Sequence, residues 1–390
     1  MRLGAWLLGL WALSAQAATP VDLASGGPGT FIHLDASGRQ ALALSGEWVA
    51  LAWEDNRSGA PRCHLAVARG GGPFQTHGFG RGECFEPAVA PLADGRFLLI
   101  WEDEAGVAAA LVDEQGPGPL LALAPAGGQG SVAWHPGQGA LAAWSAPDGR
   151  WRRVWLAPLA VDGRNLAAGP VRPVDPVPPV DDQTYPVLAA AAPGPALVWE
   201  DRRAGHTVIF YSRRGASGDW TPPRRLSGNP TGKAQGDLGR GTGAMRPALA
   251  AFADRLAGVW LDKRDFLSGY DVYAALDRPD GSFAKDGKAQ DSFGDAIAQW
   301  HPAAAGNGRG ELVIAFDDER DGTTDIWLAR LTPAGWGENF TLPALSGPGR
   351  QSDPALALDE AGHLHLAWLD QDGEGRVRLR YLRQPAPTGQ

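Results

Sequence analysis

Helical periodicity, long apolar runs and an excess of positive charge are all missing from most of this sequence. Past the first residues no apolar run is long enough to form a membrane-spanning helix, so membrane insertion is not expected. The formal net charge is −9. An acidic chain has no general pull toward nucleic acid, which is therefore not expected as a partner. Zinc-ligand spacing, a serine-nucleophile motif and a phosphate-binding glycine loop are absent, so no metal and no other cofactor is implied. His363 and His365 form only a His-x-His pair. Asp370-Gln371-Asp372-Gly373-Glu374 opens like a calcium loop, but Tyr381 stands at the twelfth position, where such a loop needs Glu.

What is present begins with a leader. Arg2 precedes a short apolar run, and Ala15-Gln16-Ala17 follows as a small-x-small signal. This predicts a signal peptide over 1–17 and a secreted or periplasmic protein. The two cysteines, Cys63 and Cys84, would then meet an oxidising compartment where a pair can bridge. Both are placed at one end of the first repeat, and the alternative is two buried free thiols.

Glycine (53) and proline (32) are plentiful, as in a turn-rich all-β chain. An aromatic-x-Asp element recurs at Trp53, Trp101, Trp199, Trp260, Phe316 and Trp368, and Trp144 keeps the ring without the Asp. The mean spacing from Trp53 to Trp368 is about 52 residues, suited to a propeller or array. A proline (Pro87, Pro186, Pro247, Pro302, Pro354) precedes the aromatic by 13 or 14 residues and opens a run of small residues. Each unit reads as four strands with period-two alternation. The last unit lacks its fourth strand, and Val21 to Leu23 can supply it beside Arg376 to Tyr381. The expectation is one domain over 18–390, a monomeric seven-bladed β-propeller closed by its N-terminal strand. A linear array would leave open edges.

The pattern Trp-x-Asp-x-Arg-x-Gly, seen at Trp53 to Gly59, Trp199 to Gly205 and (with Phe) Phe316 to Gly322, resembles the repeats of sialidase-like, or BNR-type, propellers of exported bacterial proteins. The resemblance implies the fold over nearly the whole chain. It does not imply sialidase chemistry. The Ser-x-Asp-x-Gly-x-x-Trp box is nowhere intact. Of the expected arginine triad only Arg246, in Met245-Arg246-Pro247, has a counterpart.

The residue before each proline should lie in the loop entering the innermost strand, at the mouth of the central channel. These residues are Glu86, Tyr185, Arg246, His301 and Asp353, with Trp300 beside His301. Such diversity at one repeat position suits a ligand with distinct chemical groups, and equally a solvated rim. The uniform Trp-x-Asp suits packing and turn capping. Two functions follow. One is a binding module for a glycan or another exported protein, with Trp300 as an apolar wall. The other is a carbohydrate-active enzyme, with Glu86 or Asp353 as acid or base, or a His301–Tyr185 lyase pair, and Arg246 on an anionic sugar.

Overall fold

A computed structural model describes residues 18–229, 243–265 and 269–386. The expected signal peptide lies outside the described residues. Seven antiparallel sheets stand in a ring. The innermost strand of each blade touches that of the next, and the last touches the first. Blade 2 shows the plan: strand A, Cys84–Pro91; strand B, Phe97–Asp103; strand C, Gly106–Asp113; and a short outer strand. Blade 7 takes Arg350–Leu358, His363–Gln371 and Val377–Pro385 from the C-terminal end, and its outer strand is Val21–Gly26. Val21 pairs with Tyr381, and Gly26 with Val377. The propeller is therefore closed by its N-terminal strand, as the missing fourth strand predicts.

Packing explains the repeat. The rings of Trp53, Trp101, Trp144, Trp199, Trp260, Phe316 and Trp368 are all at most 2 % exposed. Each wedges against the preceding blade. Trp101 packs on Cys63 and Leu65, with Phe79 edge-on at 5.0 Å. Trp199 packs on Leu141 and Val154. Large apolar area buried at every seam is what holds separate sheets as one body.

The Asp of the element has three jobs. Asp201 accepts the indole N–H of Trp199 at 3.2 Å, caps the next turn through the Arg203 amide at 2.9 Å, and pairs with the Arg203 side chain at 2.6 Å. Asp55, Asp262 and Asp318 repeat the cap and the Arg pair with Arg57, Arg264 and Arg320. Those arginines are committed to turns and do not line the channel mouth.

The disulfide forms between Cys63 and Cys84, with Cα atoms 5.4 Å apart. Its placement corrects the sequence reading. Cys63 is in strand C of blade 1, but Cys84 opens strand A of blade 2, where it pairs with Asp103. The bridge therefore staples two blades rather than closing one.

Candidate functional site

One backbone feature recurs at the head of every inner strand. Arg39, Glu86, Gln129, Tyr185, Arg246, His301 and Asp353, one per blade, all have φ between 47° and 58°. This left-handed region costs a side-chain-bearing residue roughly 1–3 kcal/mol, so the surroundings must impose it. In blades 2 to 7 the register of strand A shifts at this point, for example between Met245 and Ala248. The pre-proline residues thus lie inside strand A at a bulge, not in the preceding loop as expected. A bulge re-aims its side chain.

What holds the bulge is the middle residue of the preceding blade's Trp-x-Asp. Glu54 accepts the Glu86 amide at 2.6 Å, Glu200 the Arg246 amide at 2.6 Å, and Asp317 the Asp353 amide at 3.2 Å. Blade 3 carries Ser145 in that place, and Gln129 Oε1 serves the Tyr185 amide instead, at 3.1 Å. These acids were legible as a bias: the x is Glu or Asp in four units.

Blade 1 departs from the others. Its inner strand is split into Ile32–His33 and Leu42–Ser45 by a turn over Ser37–Arg39. The turn folds into the channel. Gln40 donates to the Leu188 carbonyl at 2.7 Å and accepts from Ser131 at 2.7 Å, reaching blades 3 and 4. Gly38 is needed there, since its φ is +63° and a Cβ would stand 2.4 Å from Val187. The turn also delivers Asp35 and Arg39 to the mouth.

Above it lies a cavity of about 400 Å³. Of the predicted residues, Tyr185, Arg246, Trp300, His301 and Asp353 line it, joined by His33, Asp35 and Arg39. Glu86 shares the ring position but is not part of this wall. Its Oε2 is buried without a hydrogen-bond partner. Burial, then the nearby charges of Asp35, Glu102 and Glu54 against that of Arg246, pushes the carboxyl up to about 8.

The walls are electrostatically ordered. The Arg246 guanidinium lies 4.0 Å from the Tyr185 ring centroid and 3.3 Å from Asp35. Burial pulls its pKa down, and Asp35, Tyr185, Glu200 and Glu86 more than restore it. Burial pushes the Tyr185 phenol up to about 12, so it stays protonated. His301 contacts Asp317 at 2.8 Å and Asp353 at 3.5 Å. These carboxylates outweigh burial and raise its pKa. Burial opposes the Asp353 charge, but Arg39 at 3.0 Å and His301 hold its carboxyl below the usual range. Trp300 is 42 % exposed and leans on Tyr270, with ring centroids 5.1 Å apart.

The result is a cup with cationic and aromatic groups turned inward. Glu54, Glu200, Asp317 and Asp353 are engaged by bulge amides or by cations.

No protein-family profile matches the chain, and no curated protein resembles it in sequence. Solved structures resemble it in fold. A protein of unknown function from Dyadobacter fermentans superposes with a TM-score of 0.52 at 9 % identity, covering 92 % of this chain and 100 % of that one. The Penicillium chrysogenum alpha-L-arabinanase complexed with arabinobiose gives 0.50 at 15 %, covering 77 % and 93 %. A virginiamycin B lyase from Staphylococcus aureus gives 0.49 at 11 %, covering 90 % and 99 %. At these identities the likeness is one of fold.

Proposed function

We propose that the chain is an exported glycan-binding propeller whose channel mouth receives a carboxylated sugar. The observation that carries this reading is the setting of Arg246. Its guanidinium is flattened against Tyr185, its side chain is 36 % exposed, and Asp35 is its one ion-pair partner among the described residues. A carboxylate can meet its open edge with two parallel hydrogen bonds. Trp300, across the same cup, offers an exposed ring to a sugar face. The arabinanase of the same fold holds a saccharide, which fits a glycan ligand here.

The acids argue for binding over hydrolysis. A glycosidase needs a proton-donating carboxyl and a second, available carboxylate. Here Glu54, Glu200, Asp317 and Asp353 are spent on amides and cations, Asp35 is shared by Arg39 and Arg246, and Glu86, which keeps its proton, is not part of the cavity wall. A lyase is the second reading, favoured by Tyr185 and His301 sharing one cavity with Arg246. Burial keeps Tyr185 protonated, however, and Asp317 and Asp353 bias His301 toward its charged form, whereas a lyase also needs a base. The repeat is sialidase-like, but the chemistry is not that of a sialidase: Arg39, the other mouth arginine, is spent on Asp353 and Asp35. The expected leader and the Cys63–Cys84 bridge support export.

The test is titration calorimetry against uronate and neutral oligosaccharides, with products assayed in parallel. Arg246→Ala is expected to weaken an acidic glycan by about 10- to 100-fold, the range for a hydrogen bond to a charged group, with the melting temperature unchanged. Binding indifferent to Arg246 would end this reading. Appearance of unsaturated sugar products would replace it with the lyase.

A further inference from the structure

A second cavity, of about 470 Å³, opens at the seam between blades 7 and 1. That is within the size range of small-ligand sites. It is built from strand A–B and C–D turns, Gly46 to Trp48 and Gly70 to Phe74, with Asp359. Those turns lie at the opposite end of the blades from the bulges, so the cavity is on the face opposite the mouth. The two share no residue.

His365 is the anomaly here. It is 6 % exposed, in strand B of blade 7, three residues before Trp368. The other units place Ala50, Leu98, Leu141, Ala196, Ala257 and Val313 at that position. Blade packing therefore asks for an apolar side chain, and a buried imidazole costs desolvation. That cost shows in its pKa, which burial drives down to about 4 against the pull of Asp359. The ring is neutral at ordinary pH, and its neighbours assign the tautomer, because a carboxylate can only accept. Asp359 Oδ2, 3.5 Å from Nε2, holds the proton on that side. Nδ1 then accepts from the Tyr381 hydroxyl, 2.6 Å away. With its own proton committed to His365, the phenolic oxygen is left as an acceptor.

Trp48 and Phe74 line the same cavity as Tyr381, with Phe74 edge-on to its ring at 5.0 Å. Arg383 and Glu47 stand among the cavity's lining. Arg383 already neutralises Asp359 at 3.0 Å and lies 3.3 Å from His363 Nδ1. With Asp359 paired to Arg383 and Glu47 to Arg69 at 3.3 Å, the cavity has no call for a charged ligand. It presents aromatic walls, one oriented acceptor and a few polar groups at short range.

We infer that this seam cavity is a second ligand site, independent of the channel mouth, that takes a neutral saccharide ring. The ring lies against Trp48 and Phe74 and donates a hydroxyl to Tyr381, which His365 and Asp359 orient.

Saturation-transfer NMR of the full chain with a panel of neutral methyl pyranosides tests it. At least one glycoside should receive saturation from the wild type. Its affinity should fall about fivefold or more in Tyr381→Phe, as expected for one lost hydrogen bond, and stay unchanged in Arg246→Ala. Should Tyr381→Phe fail to melt cooperatively, Trp48→Ala replaces it with the same expected loss. The inference is overturned if no glycoside is saturated, if binding survives loss of the phenol, or if it disappears in Arg246→Ala, which would place it at the mouth.

Discussion

The side chains of the channel mouth differ from one another because the backbone beneath them does not. Seven residues sit in the same left-handed conformation, and the constraint falls on their amides rather than their side chains. Five were visible in the sequence because a proline follows each. Arg39 and Gln129 were not, since Gln40 and Gly130 stand where the proline would be. Asp35 and His33 were hidden for a related reason, the turn that splits the first inner strand. Glu86 shows what such a position does to a carboxyl. Below pH 4.5, its ordinary value, the group is protonated whether the chain is folded or not. Between there and about 8 only the folded chain keeps the proton. Folding then takes up a proton, and the contribution of Glu86 to stability falls as the pH rises across that window. Glu86→Gln removes this dependence. Its melting temperature should match the wild type at pH 4, apart from a constant offset, and gain on it steadily up to about pH 8. A difference that stays flat from pH 4 to 8 would mean that the carboxyl is not held protonated.

Elements were legible where one side chain has to satisfy two blades at once. The aromatic of strand B fills the seam toward the preceding blade, while the Asp two residues on binds the indole and caps the turn. Neither job tolerates much substitution, so both survive as a visible repeat. Outer strands face solvent, have no such duty and were only faintly legible. In blade 6 the outer strand is only Gly335–Trp336, and farther on Phe340 alone bridges Leu328. The same argument sets the energetic ranking. Trp199 is fully buried, packs 6.1 Å from the Phe210 centroid and donates to Asp201. Trp199→Ala should cost about 3–5 kcal/mol, the range for large aromatic truncations in a core. Denaturant unfolding measures it, and a loss under about 1 kcal/mol would show that the seam collapses around the missing ring.

A ring of blades is only as strong as its seams, and two of them carry covalent or strand-level staples. The Cys63–Cys84 bridge spans the seam from blade 1 to blade 2 with a sequence separation of 21. A loop of that length stabilises by roughly 3 kcal/mol in the chain-entropy model. Reduction under native conditions should therefore lower the melting temperature without changing the fold, and the double Cys63→Ala, Cys84→Ala chain should match the reduced protein. The seam inside blade 7 has no covalent tie. Val21–Gly26 contributes the outer strand there, and Asp22 adds an ion pair to Arg380 at 3.1 Å. Arg380 also reaches Asp370, so the N-terminal strand is wired to the Trp-x-Asp element of the last blade. Removing residues through Gly26 would leave Val377–Pro385 as a bare edge, open to pairing with another chain. Such a chain should melt at lower temperature and self-associate on size exclusion. A peptide spanning 18–27, added in excess, should restore both properties, since the blade lacks only that strand. If the shortened chain stays monomeric and melts like the parent, blade-to-blade packing alone closes the ring and the strand is an accessory. If it fails and the peptide does not rescue it, the N-terminal strand must be in place while the blade folds rather than merely complete it.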